Sequence, residues 1–317
     1  MLRPTVHPAA HDGPVVAILH PARRHAELIA RLLPAVCREA GRELRIESTT
    51  VGRPGREQAL AAVAAGAARV VVAGGDGTVR QVAAGLAGTG VVLGIIPTGT
   101  ANLFALNLGL RRRRRRDRDG LRRDLRAAVG GHASRHDIGR LEWGDADTGA
   151  TRRDAFLVVA GLGEDAATVA ATSEALKARV GWLAYLLRGA RRLRAARHRL
   201  RIRLDDAPAC EAPAWSLLVG SAPRIPAGIR VFPGTRTDSG TLEVLRAAPA
   251  SLRDWAGIGW FGLTRRAHRA AALHYALART VEVVPDQALV LQADGDVLGR
   301  ADRVRVRIDP AALRIAR

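Results

Sequence analysis

The stretch Arg69–Leu86, RVVVAGGDGTVRQVAAGL, constrains this chain more than any other. A β-branched run enters a glycine cluster around one carboxylate, Asp76, and leaves with the apolar spacing of a helix. Strand, glycine turn and helix in that order build a phosphate cradle: glycines let backbone N–H groups approach an anion, and the helix adds its positive end. Asp76 raises a question, because a carboxylate there repels the anion. Thr78 suits a helix N-cap or a phosphate donor. A tight strand–helix turn capped by Asp76 accounts for the segment alone equally well. The spacing is neither GxxxxGK[ST] nor GxGxxG.

Around this stretch, short aliphatic runs alternate with helical periods. PVVAILH (14–20), RELRIEST, RVVVAG and VVLGIIP read as strands, and the helices fall between and after them. Such alternation predicts a parallel sheet covered on both faces, with ligands beyond the carboxyl ends of its strands. Both GGDGT and a second turn, PTGTAN (97–102), occupy that position. In the second, Pro97 stops the strand and Gly99 frees the backbone. Thr98, Thr100 and Asn102 offer three short polar side chains, where a cap needs only one.

From Arg111 the pattern changes. RRRRRRDRDGLRRDLR reads as a solvated charge run grading into a helix. Beyond it, strands such as SRHDIGRLEW, DAFLVVAG, RLRIRL, WSLLVGSA, GTLEVLRA and RVRVRID crowd together between turns, with helical inserts near 164–196 and 251–274. The expected fold class is α/β plus β: a Rossmann-like, parallel-sheet N-terminal domain over 1–132 and an antiparallel β-sandwich over 133–317. The last strand is expected to pack back on the first domain.

Composition bounds the rest. At 317 residues, 48% hydrophobic and 25% charged, the chain is globular in type. Cys37 and Cys210 have no zinc or CxxC spacing and read as reduced thiols of a cytosolic protein. The N-terminus lacks an apolar signal-type core, and no apolar run reaches the length of a bilayer span. The net charge of +20 rests almost wholly on arginine, Lys177 being the one lysine, and favours an anionic partner.

Near the C-terminus, LVLQADGDVLG places Asp294 and Asp296 astride Gly295. That spacing suits a hairpin turn; as chemistry, the two carboxylates could hold Mg²⁺ or deprotonate a hydroxyl.

Together, GGDGTVRQVAAGL, IPTGTANLFALNLGL and ADGDVLG resemble the diacylglycerol kinase catalytic-domain family, which includes soluble bacterial lipid kinases and sphingosine kinases, with NAD kinases as distant relatives. FLVVAGLGEDA and TDSGTLEV are similar to further segments of that family. The resemblance implies a lipid kinase using ATP and Mg²⁺, with its nucleotide in the cleft between the domains. It implies that Gly74, Gly75, Asp76, Gly77 and Thr78 line the phosphates. Thr98, Gly99, Thr100 and Asn102 would approach the nucleotide from the second turn, and Thr50 from the end of the second strand. Asp296 stands at the family's proton acceptor with Asp294 as its neighbour. Asp238 falls in a segment that holds a structural Mg²⁺ in some relatives, and Asp76 is the other metal candidate.

Several positions depart from the family pattern. His20-Pro21 replaces Asn-Pro, Leu103 stands where Asp is common, and Ser239 replaces the second Asp of Asp-Asp-Gly. Asp296 is one methylene shorter than Glu, and Glu164 stands at a usually apolar position. A lipid acceptor implies a peripheral, anionic membrane surface as partner. Two segments suit one: the stripe Trp182, Tyr185, Leu186, Gly189 and Leu193, and the cluster Trp255, Trp260 and Phe261 beside Arg265 and Arg266. Helices packed on the second domain's sheet account for both segments as well. A homodimer through an edge strand is compatible with the sequence.

Two rivals remain. An NAD kinase-like enzyme would carry an Asn-Glu pair, and neither Asn102 nor Asn107 precedes Glu. A basic nucleic-acid or regulatory protein retaining the fold would draw on the arginine run; no nucleic acid is expected, because no aromatics are interleaved with it.

Overall fold

Four short aliphatic runs make the parallel strands β1 (Val15–Leu19), β2 (Leu44–Ser48), β3 (Arg69–Gly74) and β4 (Val92–Pro97). Their order is β2-β1-β3-β4, and Val15 lies in register with both Leu44 and Arg69. The computed structural model describes residues 13–23, 25–110, 117–164, 166, 198–225, 228–264 and 272–317. Contacts divide the chain into two units. One comprises the chain to Thr98, Arg112–Ser134 and Leu313–Arg317; the other comprises Gly99–Arg111 and Arg135–Ala312.

In the first unit, period-2 alternation sends side chains to both faces of the sheet. Val15, Ala17, Leu19, Val71, Ala73 and Ile96 join one core with helices α1 (Ala26–Glu39) and α5 (Arg118–Gly130). Val16, Ile18, Val70 and Val72 are buried on the other face, and helices α2 (Arg56–Ala64) and α3 (Asp76–Leu86) pack on each other and on β1 and β3. Close approach needs glycine at two places. A Cβ on Gly85 would lie 2.9 Å from the Ala59 methyl, and one on Gly94 2.7 Å from that of Ala128.

In the second unit, the strands are β5 (Ala133–Asp145), β6 (Thr151–Phe156), β7 (Val159–Gly163), β8 (His198–Leu204), β9 (Cys210–Ala214), β10 (Ser216–Gly220), β11 (Leu242–Ala247), β12 (Leu273–Ala278), β13 (Thr280–Pro285), β14 (Leu289–Ala293) and β15 (Asp296–Ala316). One antiparallel row runs β12-β11-β10-β7-β14-β15, while β9-β8-β13 and β6-β5 also join β15. Alternating residues of these strands, among them Leu141, Phe156, Leu162, Leu200, Leu217, Val244, Leu291 and Val306, form the sandwich core. The end of β15 lies in the first unit, where Arg314 and Ile315 pair in parallel with Val92 and Leu93. The architecture is the expected one: a parallel α/β sheet followed by an antiparallel β-sandwich.

Three local differences from the sequence reading stand out. The run DAFLVVAG is not one strand, since a bend at Leu157–Val158 separates β6 from β7. The insert read as helical over 251–274 gives helix α6 (Leu252–Thr264) and then strand β12. Helix α3 starts at Asp76, not at Thr78. Most of the other helical insert, the Trp182–Leu193 stripe and the arginine run 111–116 lie outside the described residues.

Candidate functional site

GGDGT is the junction of β3 and α3. Gly74 ends the strand, Gly75 is the helix N-cap, and Asp76, Gly77 and Thr78 form the first turn. Thr78 is therefore not the cap: it is buried against Gly74, where a Cβ would lie 2.6 Å from its own Cβ. Gly74 is thus required by the tightness of the turn. Gly75 is different. Its φ of −88° suits any residue, and a Cβ there would meet only the Arg23 guanidinium, at 3.5 Å or more. No side chain caps the helix at Gly75. Asp76 sits where the helix dipole favours a carboxylate, by about 0.3–1 kcal/mol.

Thr98 follows β4, and its N–H donates to the Gly74 carbonyl at 3.2 Å. This bond places Thr98 beside the glycine turn. Its side chain is buried, and its Oγ1 finds no hydrogen-bond partner in the protein. Asn102 adopts the left-handed conformation, φ 48°, and N-caps α4 (Leu103–Asn107). Its side chain accepts the Gly99 N–H at 2.9 Å and donates to the Gly99 carbonyl at 2.7 Å, so it shapes the PTGTAN turn. Thr100 is exposed. Thr50 is also exposed, and its hydroxyl accepts the Arg53 N–H at 3.1 Å within a turn after β2.

Asp294 and Gly295 link β14 to β15, with φ of 50° and 93°. Two positive φ values are the mark of a type I′ hairpin turn, for which Asp-Gly is a favoured pair. Asp294 does more than turn the chain. Its buried carboxylate accepts the N–H groups of Leu157 at 2.7 Å, Val158 at 2.9 Å and Val159 at 3.0 Å. Those amides belong to the bend between β6 and β7 and its edge, so Asp294 compensates for the broken strand. Asp296 flanks the turn opposite Ala293 and is exposed. The two carboxylates thus have different environments.

The TDSG loop is held by protein groups throughout. Arg236 donates to both oxygens of Asp238, each at 3.0 Å, and holds this carboxyl below the usual range. The Ser239 hydroxyl lies 3.0 Å from Thr235 Oγ1 and 3.1 Å from Thr241 Oγ1, and donates to the Arg236 carbonyl at 3.0 Å. Asp137, buried on β5, accepts the N–H groups of Gly240 at 2.7 Å and Ala311 at 2.8 Å. His136 Nδ1 lies 3.0 Å from Thr237 Oγ1. Glu243 accepts the Gly234 N–H at 2.7 Å; burial pushes its carboxyl up, and the Gly234 and Thr235 amides partly offset the rise. With Asp238 taken by arginine and serine in place of a second carboxylate, the loop does not fit a structural metal. Among the described residues, no group of three or more His, Cys, Asp or Glu side chains is placed to hold one.

His136, Asp137 and Glu243 stand in strands and were not singled out in the sequence, although Glu243 lies within the TDSGTLEV segment. For the membrane candidates, Trp255 is buried edge-on to Trp215 with ring centroids 5.0 Å apart, so it packs within its unit. The side chains of Trp260 and Phe261, and residues 265 and 266, lie outside the described set. Among the described residues, no helix is long and apolar enough to cross a membrane.

Residues 14–141 match the diacylglycerol kinase catalytic domain, and residues 157–317 match the YegS C-terminal NAD kinase beta sandwich-like domain. A relative from Pseudomonas aeruginosa (strain UCBPP-PA14), named "Probable lipid kinase YegS-like", is 32% identical over 312 residues, 95% of this chain and 93% of its own. A protein of the same name from Chromohalobacter salexigens is 33% identical over 248 residues, 76% of this chain and 73% of its own. In fold, a crystal structure of a diacylglycerol kinase from Bacillus anthracis str. Sterne superposes with a TM-score of 0.67 at 17% identity, covering 96% of each chain. Yeast NADH kinase complexed with NADH superposes with a TM-score of 0.54 at 11% identity, covering 96% of this chain and 83% of its own.

Proposed function

Because the chain belongs to the diacylglycerol kinase catalytic-domain family of lipid kinases, we propose that it transfers the γ-phosphoryl group of ATP to a lipid hydroxyl, with diacylglycerol the first candidate acceptor. The observation that carries this reading is the division of labour in the Asp294-Gly295-Asp296 hairpin. Backbone amides consume Asp294, while Asp296 is presented at the exposed edge of the turn.

The acceptor oxygen attacks the γ-phosphorus, forming a new O–P bond as the bond to the bridging oxygen of ADP breaks. ADP leaves, and Asp296 takes the hydroxyl proton. Asp294 does not meet the reacting atoms; it positions the turn that carries Asp296. Gly74, Gly75, Asp76, Gly77 and Thr78 provide the phosphate cradle, with Thr98 beside it. Asp76 would help hold a Mg²⁺ brought with ATP, and such a cation would offset the repulsion between its carboxylate and the phosphates. Thr50, Gly99, Thr100 and Asn102 shape the nucleotide's surroundings, Asn102 through the turn it locks. A water-insoluble acceptor brings the chain to an anionic membrane surface, and its +20 charge suits one.

Replacing Asp296 with Asn tests the base. Lipid phosphorylation is expected to fall by about 10²-fold or more with ATP binding retained. A variant as fast as wild type removes Asp296 from that role.

A further inference from the structure

Strand β2 ends the parallel sheet, and among the described residues β1 is its one strand neighbour. Val15 donates its N–H to the Glu43 carbonyl at 2.8 Å, and Thr49 donates to the Leu19 carbonyl at 2.9 Å. The odd-numbered residues of this segment therefore bond to β1. Alternation then turns the N–H and C=O groups of Leu44, Ile46 and Ser48 toward the free edge. The Ser48 carbonyl is engaged there by Gln58 Nε2 at 3.1 Å, and it keeps a second lone pair. Nothing within the strand blunts the edge: it contains no proline, and its register with β1 runs without a bulge.

The side chains are as open as the backbone. Ile46 is 43% exposed, and Arg45, Glu47 and Ser48 are exposed as well. Glu47 has no ion-pair partner among the described residues. Arg45 Nε meets Glu43 Oε1 at 3.0 Å, but both side chains are exposed, and such a pair yields readily.

The order Leu44-Arg45-Ile46-Glu47-Ser48 is its own complement. Around a two-fold axis through Ile46, an antiparallel second copy sets Ile46 against Ile46 and Leu44 against Ser48. These are the residues whose backbone groups face outward, so they meet as hydrogen-bonded pairs. Arg45 then stands opposite Glu47 of the partner subunit, and Glu47 opposite the partner's Arg45. Both fall at the closer, non-hydrogen-bonded positions, where opposite charges stabilise pairing and like charges oppose it. Self-complementarity of this kind is what a two-fold interface requires.

We propose that β2 is the interface of a two-fold homodimer of this chain, with antiparallel β2–β2 pairing centred on Ile46 joining the parallel sheets of the two copies. The proposal stands apart from the kinase reading above.

The test is sedimentation velocity of the full chain over a range of micromolar concentrations, for wild type, Arg45→Glu, Glu47→Arg and an equal mixture of the two variants. Wild type is expected to dimerise. Each variant alone opposes like charges at both contacts and is expected to weaken the dimer by roughly 10-fold or more. In a mixed pair every contact again joins opposite charges, so dimers are expected to return on mixing. Their return also shows that both variants are folded. A monomeric wild type, single variants that dimerise as well as wild type, or a mixture that stays monomeric would each overturn the proposal.

Discussion

Asp294 Oδ2 accepts the N–H of Leu157 at 2.7 Å across 137 residues of sequence. The neighbouring amides of Val158 and Val159 bond to its other oxygen. One carboxylate therefore fixes both the hairpin that carries Asp296 and the bend that divides β6 from β7. Asp294→Ala is expected to lower stability by about 3 kcal/mol or more, since it leaves buried amides unsatisfied. Asp294→Asn, which keeps one carbonyl oxygen as acceptor, is expected to cost less. Urea denaturation of the three proteins measures the difference. Equal stability of wild type and Asp294→Ala would contradict the anchoring role.

The two adjacent glycines of the GGDGT turn have separable duties. Gly74→Ala drives a methyl to 2.6 Å from the Thr78 Cβ and is expected to destabilise by about 1–3 kcal/mol. Gly75→Ala meets only ordinary contacts and is expected to stay within about 1 kcal/mol of wild type. Thermal unfolding without ligand orders the two, and the reverse order would refute the assignment.

The TDSG loop is predicted to keep its shape without metal. In the absence of nucleotide, chelation or millimolar Mg²⁺ is expected to leave the melting temperature unchanged. The double variant Arg236→Ala with Ser239→Asp releases Asp238 and adds a second carboxylate, and its melting temperature is expected to rise with Mg²⁺. A Mg²⁺-dependent rise in wild type that Asp238→Asn abolishes would show a metal site after all.

Glu243 gives a pH dependence with a definite sign. Burial, opposed by the backbone N–H groups it accepts, leaves its folded carboxyl above the ordinary value of 4.5. The folded state thus holds this proton more tightly than the unfolded state does. The stability it contributes is fully present below pH 4.5 and is lost as pH rises through the raised folded value. Glu243→Gln lacks this titration, so its stability relative to wild type is expected to increase as pH climbs from about 4 to 7. A difference that stays flat over that range would contradict it.

What the sequence revealed and what it hid have different physical scales. β3, the glycine junction and the Asp294-Gly295 hairpin were legible because period, glycine and turn chemistry are local. The break at Leu157–Val158 was not, since an apolar run without a turn residue gives no local sign of a bend held by a distant carboxylate. Strand β12 was hidden in the same way: LHYALA follows directly on helical spacing and becomes a strand by pairing with β11. In the candidate site, Gly74, Gly75 and Asp76 could be read from their order in the chain. The roles of Asp137, Glu243 and Arg236 depend on partners in three dimensions. Asn102, read as a nucleotide contact, is seen locking Gly99, a bond its sequence distance of three residues permits but does not announce.

The central claim is phosphoryl transfer from ATP to a lipid alcohol. Incubation of the full chain with γ-labelled ATP and Mg²⁺, against anionic vesicles carrying diacylglycerol, a sphingoid base or a polyprenyl-type alcohol, with NAD in a separate arm, tests it directly. Label is predicted in the lipid phase, diacylglycerol foremost, and absent from NAD. Label in NAD alone, or in no acceptor while ATP binds, would contradict the account.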